Sequence, residues 1–93
     1  MWKRGDIAEV YDTWADTESV FCLPRNEGDD SGEIPKGTSV LILDPYSEEG
    51  FQKYGDHGGE KWMLILWREK EWFVYASDLR EIGAHARAIK KSA

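Results

Sequence analysis

Short apolar segments separated by turn-forming residues fill the first half of the chain. Residues 7–11 and 19–23 are rich in β-forming side chains, and Pro24 ends the second of these segments. Residues 25–33 consist almost entirely of turn formers, which predicts a loop. Residues 39–43 are apolar after the first position and too few for a helix, so we predict a strand that is buried on both faces.

Two further segments of this half predict turns or irregular structure. Pro35 and Gly37, within residues 34–38, predict a tight turn because proline fixes φ and glycine tolerates positive φ. Residues 45–59 form the longest irregular segment, with four glycines and one proline. Aromatic side chains in this segment indicate that part of it packs against the rest of the domain: Tyr46, Phe51 and Tyr54.

The last third of the chain predicts a hairpin and a short final strand. Residues 61–67 and 72–76 have the composition of paired strands, and the polar residues 68–71 predict the turn between them. The elements predicted to follow are one helical turn, a last strand and an alanine-rich helix, at residues 77–79, 80–82 and 84–91.

The spacing of these segments predicts a mostly-β fold. Short strands with turn signals between them, and no strong amphipathic helix before the end of the chain, are typical of a small barrel or sandwich. We predict a barrel of five to six strands at residues 1–83, followed by a short basic C-terminal helix or tail at residues 84–93.

The strand predicted at residues 61–67 is apolar on both faces. Alternation places Trp62, Leu64 and Leu66 on one face, and the other face carries Met63, Ile65 and Trp67. One of these faces must therefore be covered by the long irregular segment, by the C-terminal helix or by a partner.

Three stretches of this sequence resemble a Src-homology-3 domain. Residues 61–82 read KWMLILWREKEWFVYASDLREI, in which Trp62 opens a strand and lies fifteen residues before Ser77, as is typical of that family. Residues 34–44, IPKGTSVLILD, resemble its diverging turn and the strand after it. Residues 5–14, GDIAEVYDTW, resemble its opening strand, where Leu-Tyr-Asp is common.

The resemblance implies a Src-homology-3-like barrel, but the family's groove for proline-rich peptides is only partly matched. Tyr11 and Trp62 match its aromatic positions, whereas Ala76 and Leu79 stand where the family has a proline and a tyrosine. Since a polyproline ligand needs several aromatic ridges side by side, we do not expect ordinary Pro-x-x-P recognition. In this respect the chain resembles small barrels of bacterial and phage proteins that lack the groove.

Composition narrows the class of protein further. A length of 93 residues suits one domain, and five tryptophans provide apolar mass for a core. The single cysteine, Cys22, has apolar neighbours and predicts a buried, inert thiol. The absence of disulfides, of a signal peptide and of an apolar run longer than six residues leads us to expect a cytoplasmic protein without membrane contact.

Charge argues against duplex nucleic acid as a partner. Residues 1–82 carry eighteen acidic and nine basic side chains, whereas the tail carries three basic side chains and no acidic one. An acidic body repels phosphate backbones, so we expect a protein or peptide partner, and basic charge on that partner would complement the body.

Catalytic and metal-binding patterns are not evident in the sequence. His57 and His85 are the two imidazoles, and neither has a ligand partner at a typical metal spacing. The acidic residues 27–33 lack the alternating oxygen ligands of a calcium loop. We therefore predict no enzymatic activity, no metal and no cofactor.

The tryptophans exceed what so small a core can hold, so we predict an exposed aromatic and acidic binding surface. Its predicted members are Tyr11, Trp14, Trp62, Asp12, Asp16 and Glu18.

The sequence does not determine a function, and three hypotheses stay open. The first is a non-catalytic protein-interaction module. The second is a self-associating structural or assembly subunit, such as a phage or bacterial accessory protein. The third is a single-strand nucleic-acid binder.

Overall fold

A computed structural model describes residues 2–11, 18–56 and 58–82 of the chain. Seven strands, one α-helix and one 3₁₀ turn follow each other along these residues. The strands are β1 (Ile7–Val10), β2 (Ser19–Pro24), β3 (Gly32–Pro35), β4 (Ser39–Asp44), β5 (Trp62–Trp67), β6 (Lys70–Tyr75) and β7 (Leu79–Glu81). Helix α1 (Glu48–Tyr54) joins β4 to β5, and the 3₁₀ turn (Ala76–Asp78) joins β6 to β7.

The seven strands form one antiparallel sheet in the order β3-β2-β6-β5-β4-β1-β7. This confirms the mostly-β prediction, with seven strands in place of the expected five to six. The hydrogen-bonded order is open, with β3 and β7 at its edges, rather than that of a closed barrel.

The main core is built from alternate residues of every strand. One cluster contains buried side chains from β1 to β7, among them Val10, Cys22, Ile34, Ile65 and Val74. Because strands present alternate side chains to opposite faces, this pattern places one face of the whole sheet in the core. Contact between side chains from all seven strands requires the sheet to curl around them.

The opposite face of the sheet is covered where β5 and β6 cross its centre. Trp62, Leu64 and Phe73 form a second buried cluster, against which Tyr54 of α1 packs. The predicted alternation along β5 is thus confirmed for Trp62 and Leu64 on one side and for Met63 and Ile65 on the other. The element found over the second face is the helix inside the long segment between β4 and β5.

Local chemistry explains where α1 begins and ends. The Ser47 hydroxyl accepts a hydrogen bond from the Gly50 amide at 3.1 Å, and Glu48 and Glu49 complement the positive end of the helix dipole. Gly55 ends the helix at a φ of 83°, a conformation that favours glycine. Residues 45–59 were expected to be irregular, and the helix corrects that prediction.

Two other predicted boundaries differ from the structure. The turn predicted at residues 34–38 begins as strand, because Ile34 is fully buried and pairs with Val20, which extends β3 to Pro35. The hairpin turn contains only Arg68 and Glu69, both at positive φ, while Lys70 already pairs with Trp67. The helix or tail predicted at residues 84–93 lies outside the described residues.

Within the described part of the chain, no helix has the length and apolar character needed to cross a membrane.

Candidate binding site

The predicted aromatic surface does not form around Trp62. Only 3% of this side chain is exposed, because its ring packs against Tyr75 at a centroid distance of 4.6 Å and against Tyr54 at 5.9 Å. The prediction of an exposed Trp62 is therefore wrong. The helix that covers this face of β5 is the physical reason.

The other predicted members are only partly described. Tyr11 is half-buried, and the Arg80 guanidinium lies 4.2 Å from the centre of its ring. Glu18 is exposed, and its backbone carbonyl accepts a hydrogen bond from the Lys36 amide. Asp12, Trp14 and Asp16 lie outside the described residues, so their part in a surface stays a prediction.

A different aromatic and acidic site lies between α1 and the start of β5. Tyr46 and Phe51 are 56% and 47% exposed, and both line a cavity of about 180 Å³. We call this cavity the aromatic groove. Its lining also includes Trp62 and three charged side chains, Asp56, Glu60 and Lys61.

Two hydrogen bonds, one from the backbone and one from a side chain, fix α1 relative to β5 at the aromatic groove. The Ser47 amide donates to the Trp62 carbonyl at 2.8 Å, which ties the start of α1 to β5. The Trp62 indole N–H donates to the Gly55 carbonyl at 2.9 Å, which ties the end of α1 to the same residue. Both ends of the helix are therefore anchored on Trp62, and the groove is held in shape before any ligand arrives.

A third set of contacts ties α1 to the end of β2 and to the residue after it. The Tyr54 hydroxyl donates to the Pro24 carbonyl at 2.5 Å, and burial raises the pKa of this phenol. The Lys53 ammonium donates to the Arg25 carbonyl at 2.6 Å. The Arg25 guanidinium in turn pairs with Glu49 of α1 and with Glu71 of β6, which raises its pKa.

The aromatic groove is negatively charged. Asp56 accepts a hydrogen bond from the Gly59 amide at 2.8 Å, and Glu60 accepts one from the Ser77 hydroxyl at 3.1 Å. No ion pair engages either carboxylate within the described part of the chain. Residues 44–60, which contain α1, carry five acidic side chains and one lysine. The groove therefore combines exposed aromatic rings with carboxylates that lack a cationic partner among the described residues.

Two other cavities are larger than the aromatic groove. One, of about 460 Å³, lies beside the edge strand β7 and is lined by Trp2, Asp6, Ile7, Glu81 and Ile82. The other, of about 340 Å³, shares Tyr46 and Ser47 with the aromatic groove and also includes Arg25, Asp44 and Glu49. The Arg25 guanidinium in this cavity is already paired with the carboxylates of Glu49 and Glu71.

The described residues contain no cluster of metal ligands, and their cysteine is buried. Across residues 2–11, 18–56 and 58–82, no three histidine, cysteine, aspartate or glutamate side chains are grouped to hold a metal ion. Cys22 is fully buried in β2, and burial raises the pKa of its thiol to about 11. The prediction of a buried cysteine is confirmed.

Sequence reasoning missed the main residues of the aromatic groove. Tyr46 and Phe51 were noted as aromatics that would pack inward, yet about half of each side chain faces solvent. A usable signal was the run of Ser47, Glu48 and Glu49, a hydroxyl followed by acids that commonly begins a helix. A helix packed on a sheet has a solvent-facing side, and Phe51 of α1 is exposed there, whereas Tyr46 precedes the helix.

No known protein family matches this chain, and no curated protein or solved structure shows significant similarity to it.

Proposed function

We propose that this protein is a non-catalytic interaction module that binds a protein or peptide in the aromatic groove. The observation that carries the proposal is the exposure of Tyr46 and Phe51 in a concave site whose third aromatic, Trp62, is fixed in place. Large aromatic side chains that remain accessible in a preformed cavity are typical anchors of protein interfaces.

The dimensions of the groove favour a side chain over a free small molecule. Small-molecule pockets commonly enclose about 300–1,000 Å³. The aromatic groove encloses about 180 Å³, which suits one side chain presented by a larger partner. Its carboxylates favour a basic partner and disfavour nucleic acid, whose phosphates they would repel.

We further propose that the fold is a Src-homology-3-like barrel, as the sequence resemblance implies. In support, Trp62 opens β5, a two-residue turn joins β5 to β6, and a 3₁₀ turn leads into the last strand. That succession matches the one expected from residues 61–82. The curled sheet also encloses one core, although its edges are not paired with each other.

Selection of peptides on the full chain tests the proposed function. We would select a phage-displayed random dodecapeptide library on the immobilised protein and measure the affinity of the enriched peptides by calorimetry. Tyr46→Ala and Phe51→Ala should each weaken binding about tenfold or more, because exposed aromatic anchors dominate interface energies. Phe21→Ala is the matched control, since Phe21 is 57% exposed but lies on β2, away from the groove.

The outcome of that selection decides the proposal. Enriched peptides that lose affinity in the two groove variants and keep it in Phe21→Ala would support it. An exhaustive selection without enrichment, or peptides that bind all three variants like the original chain, would overturn it.

Self-association is the second candidate function, and the structure favours the edge strand β7 over β5 as its surface. The strand first suggested for it, β5, lies between β4 and β6, and four of its six side chains are buried. The edge strand β7 offers a better surface, because Ile7 and Ile82 beside it are 48% and 45% exposed. Sedimentation velocity tests this candidate: a dimer that forms at micromolar concentration and is lost in Ile7→Ser would favour it, and a monomer throughout would exclude it.

A further inference from the structure

We propose that the partner inserts an arginine side chain into the aromatic groove. This inference rests on the proposed function, because it names the chemistry of the group that the groove receives. The guanidinium would lie against the exposed ring of Tyr46 or Phe51 and pair with Asp56 or Glu60. The described residues that line the aromatic groove all lie within residues 46–62.

The lining supplies both interactions that a buried guanidinium needs. Aromatic faces attract a cation placed over them, and carboxylates accept the N–H groups at its edge. Tyr46 and Phe51 provide exposed rings, while among the described lining residues Asp56 and Glu60 provide two carboxylates against the cation of Lys61. The net charge of the lining is therefore negative and complementary to an incoming cation.

The same combination already exists inside this protein. The Arg80 guanidinium lies 4.2 Å from the centre of the Tyr11 ring and donates from Nε to Glu9 at 2.8 Å. Arg80 thus combines ring stacking with carboxylate pairing in one side chain. The aromatic groove presents the ring and the carboxylates of such a site without the arginine.

Arginine fits the combination better than lysine. A guanidinium is planar, so it stacks on a ring and still directs N–H groups sideways toward a carboxylate. A lysine ammonium is compact and strongly hydrated, and it forms point contacts instead. The volume of about 180 Å³ leaves room for one long side chain.

A series of three short peptides tests the inference. The probes are acetylated and amidated Gly-Leu-Arg-Leu-Gly and its versions with lysine or citrulline in place of arginine, citrulline being the neutral isostere. Nitrogen–proton correlation spectra of the full chain would follow the backbone amides of residues 46–62 and the Trp62 indole N–H. We expect the arginine peptide to shift these signals, and the other two peptides to bind about three- to tenfold more weakly.

Variants and salt give the control measurements. Asp56→Asn and Glu60→Gln keep the acceptor atoms for Gly59 and Ser77 while they remove the charges, so each should weaken the arginine peptide about threefold. Glu27→Gln, at an exposed acidic position outside the groove, should leave the affinity unchanged. Raising the salt from about 50 to about 500 mM should weaken the arginine peptide but not the citrulline peptide.

The outcomes separate this inference from the function on which it rests. Equal binding of all three peptides at residues 46–62, or equal binding of arginine and lysine, would overturn the arginine assignment and leave a binding groove. Shifts confined to residues outside the groove, or no shifts with any peptide, would overturn the assignment together with the proposed site.

Discussion

The substitution Gly50→Ala tests how closely α1 packs on the sheet. Gly50 is buried in the helix, and a Cβ atom built there would lie 2.9 Å from both the Phe73 ring and the Trp62 Cβ atom. Real Cβ contacts are essentially never so short, so the helix or its neighbours would have to move.

The expected effect follows from two opposing terms. Alanine in place of glycine inside a helix normally stabilises by about 1 kcal/mol. Overpacking of a close-packed contact costs about 1–3 kcal/mol. We therefore expect Gly50→Ala to lower the free energy of unfolding by about 1 kcal/mol, opposite in sign to the propensity effect alone.

Urea unfolding monitored by tryptophan fluorescence measures this change. Gln52→Ala is the matched control, because Gln52 is exposed on the same helix and its replacement should change stability by less than about 0.5 kcal/mol. A Gly50→Ala variant that is about 1 kcal/mol more stable than the original chain would refute the close contact between α1 and β5.

Four further predictions follow from other contacts. The buried Cys22 thiol should resist alkylation at pH 8 in the native protein and react fully in urea; rapid native labelling would contradict its burial. Burial raises the pKa of Cys22 from 9.0 to about 11, so the stability that the neutral thiol contributes is present below pH 9 and lost as the pH rises to 11. The unfolding free energy of Cys22→Ala should therefore fall less steeply between pH 9 and pH 11 than that of the original chain. Parallel curves for the two proteins would contradict this. Tyr54→Phe removes the hydrogen bond to Pro24 and should cost about 0.5–1.5 kcal/mol in urea unfolding, whereas an unchanged stability would argue against that bond. Glu69→Gly should raise the thermal midpoint, because Glu69 has a φ of 63° that costs an L-residue about 1–2 kcal/mol; a lower midpoint would argue against the positive φ.

Six of the seven strands were predictable because their information is local, whereas β3 lies in residues predicted as loop and turn. Alternation identified the two faces of β5 before the structure did, and apolar neighbours identified Cys22 as buried. The hairpin between β5 and β6 was also evident from its polar residues. Alternation with a period of two indicates which side chains of a strand are buried, and a cluster of turn formers indicates where the chain reverses direction.

The helix and the groove were harder to predict because they depend on tertiary contacts. A helix of seven residues with an internal glycine has little intrinsic stability, and α1 is held instead by contacts to Trp62, Phe73 and Pro24. Alternation showed that a face of β5 needed a cover but could not choose among the long segment, the tail and a partner. Because α1 of the long segment covers this face of β5, Trp62 is buried and Tyr46 is left exposed.

The burial of Ile34 illustrates the same limit on a smaller scale. Pro35 and Gly37 correctly marked a nearby change of direction, yet Ile34 and Pro35 themselves belong to β3. The pairing of β3 with β2, its neighbour in sequence and in space, outweighs the turn preference of proline, which an edge strand tolerates at its end.

The most direct test of the central claim is to locate a selected peptide on the full chain by intermolecular nuclear Overhauser effects. We expect contacts from the peptide to the ring protons of Tyr46 and Phe51, the two exposed aromatics of the groove. Contacts confined to Phe21 on β2, or to Ile7 and Ile82 beside β7, would contradict it and assign the interaction to a different face of the sheet.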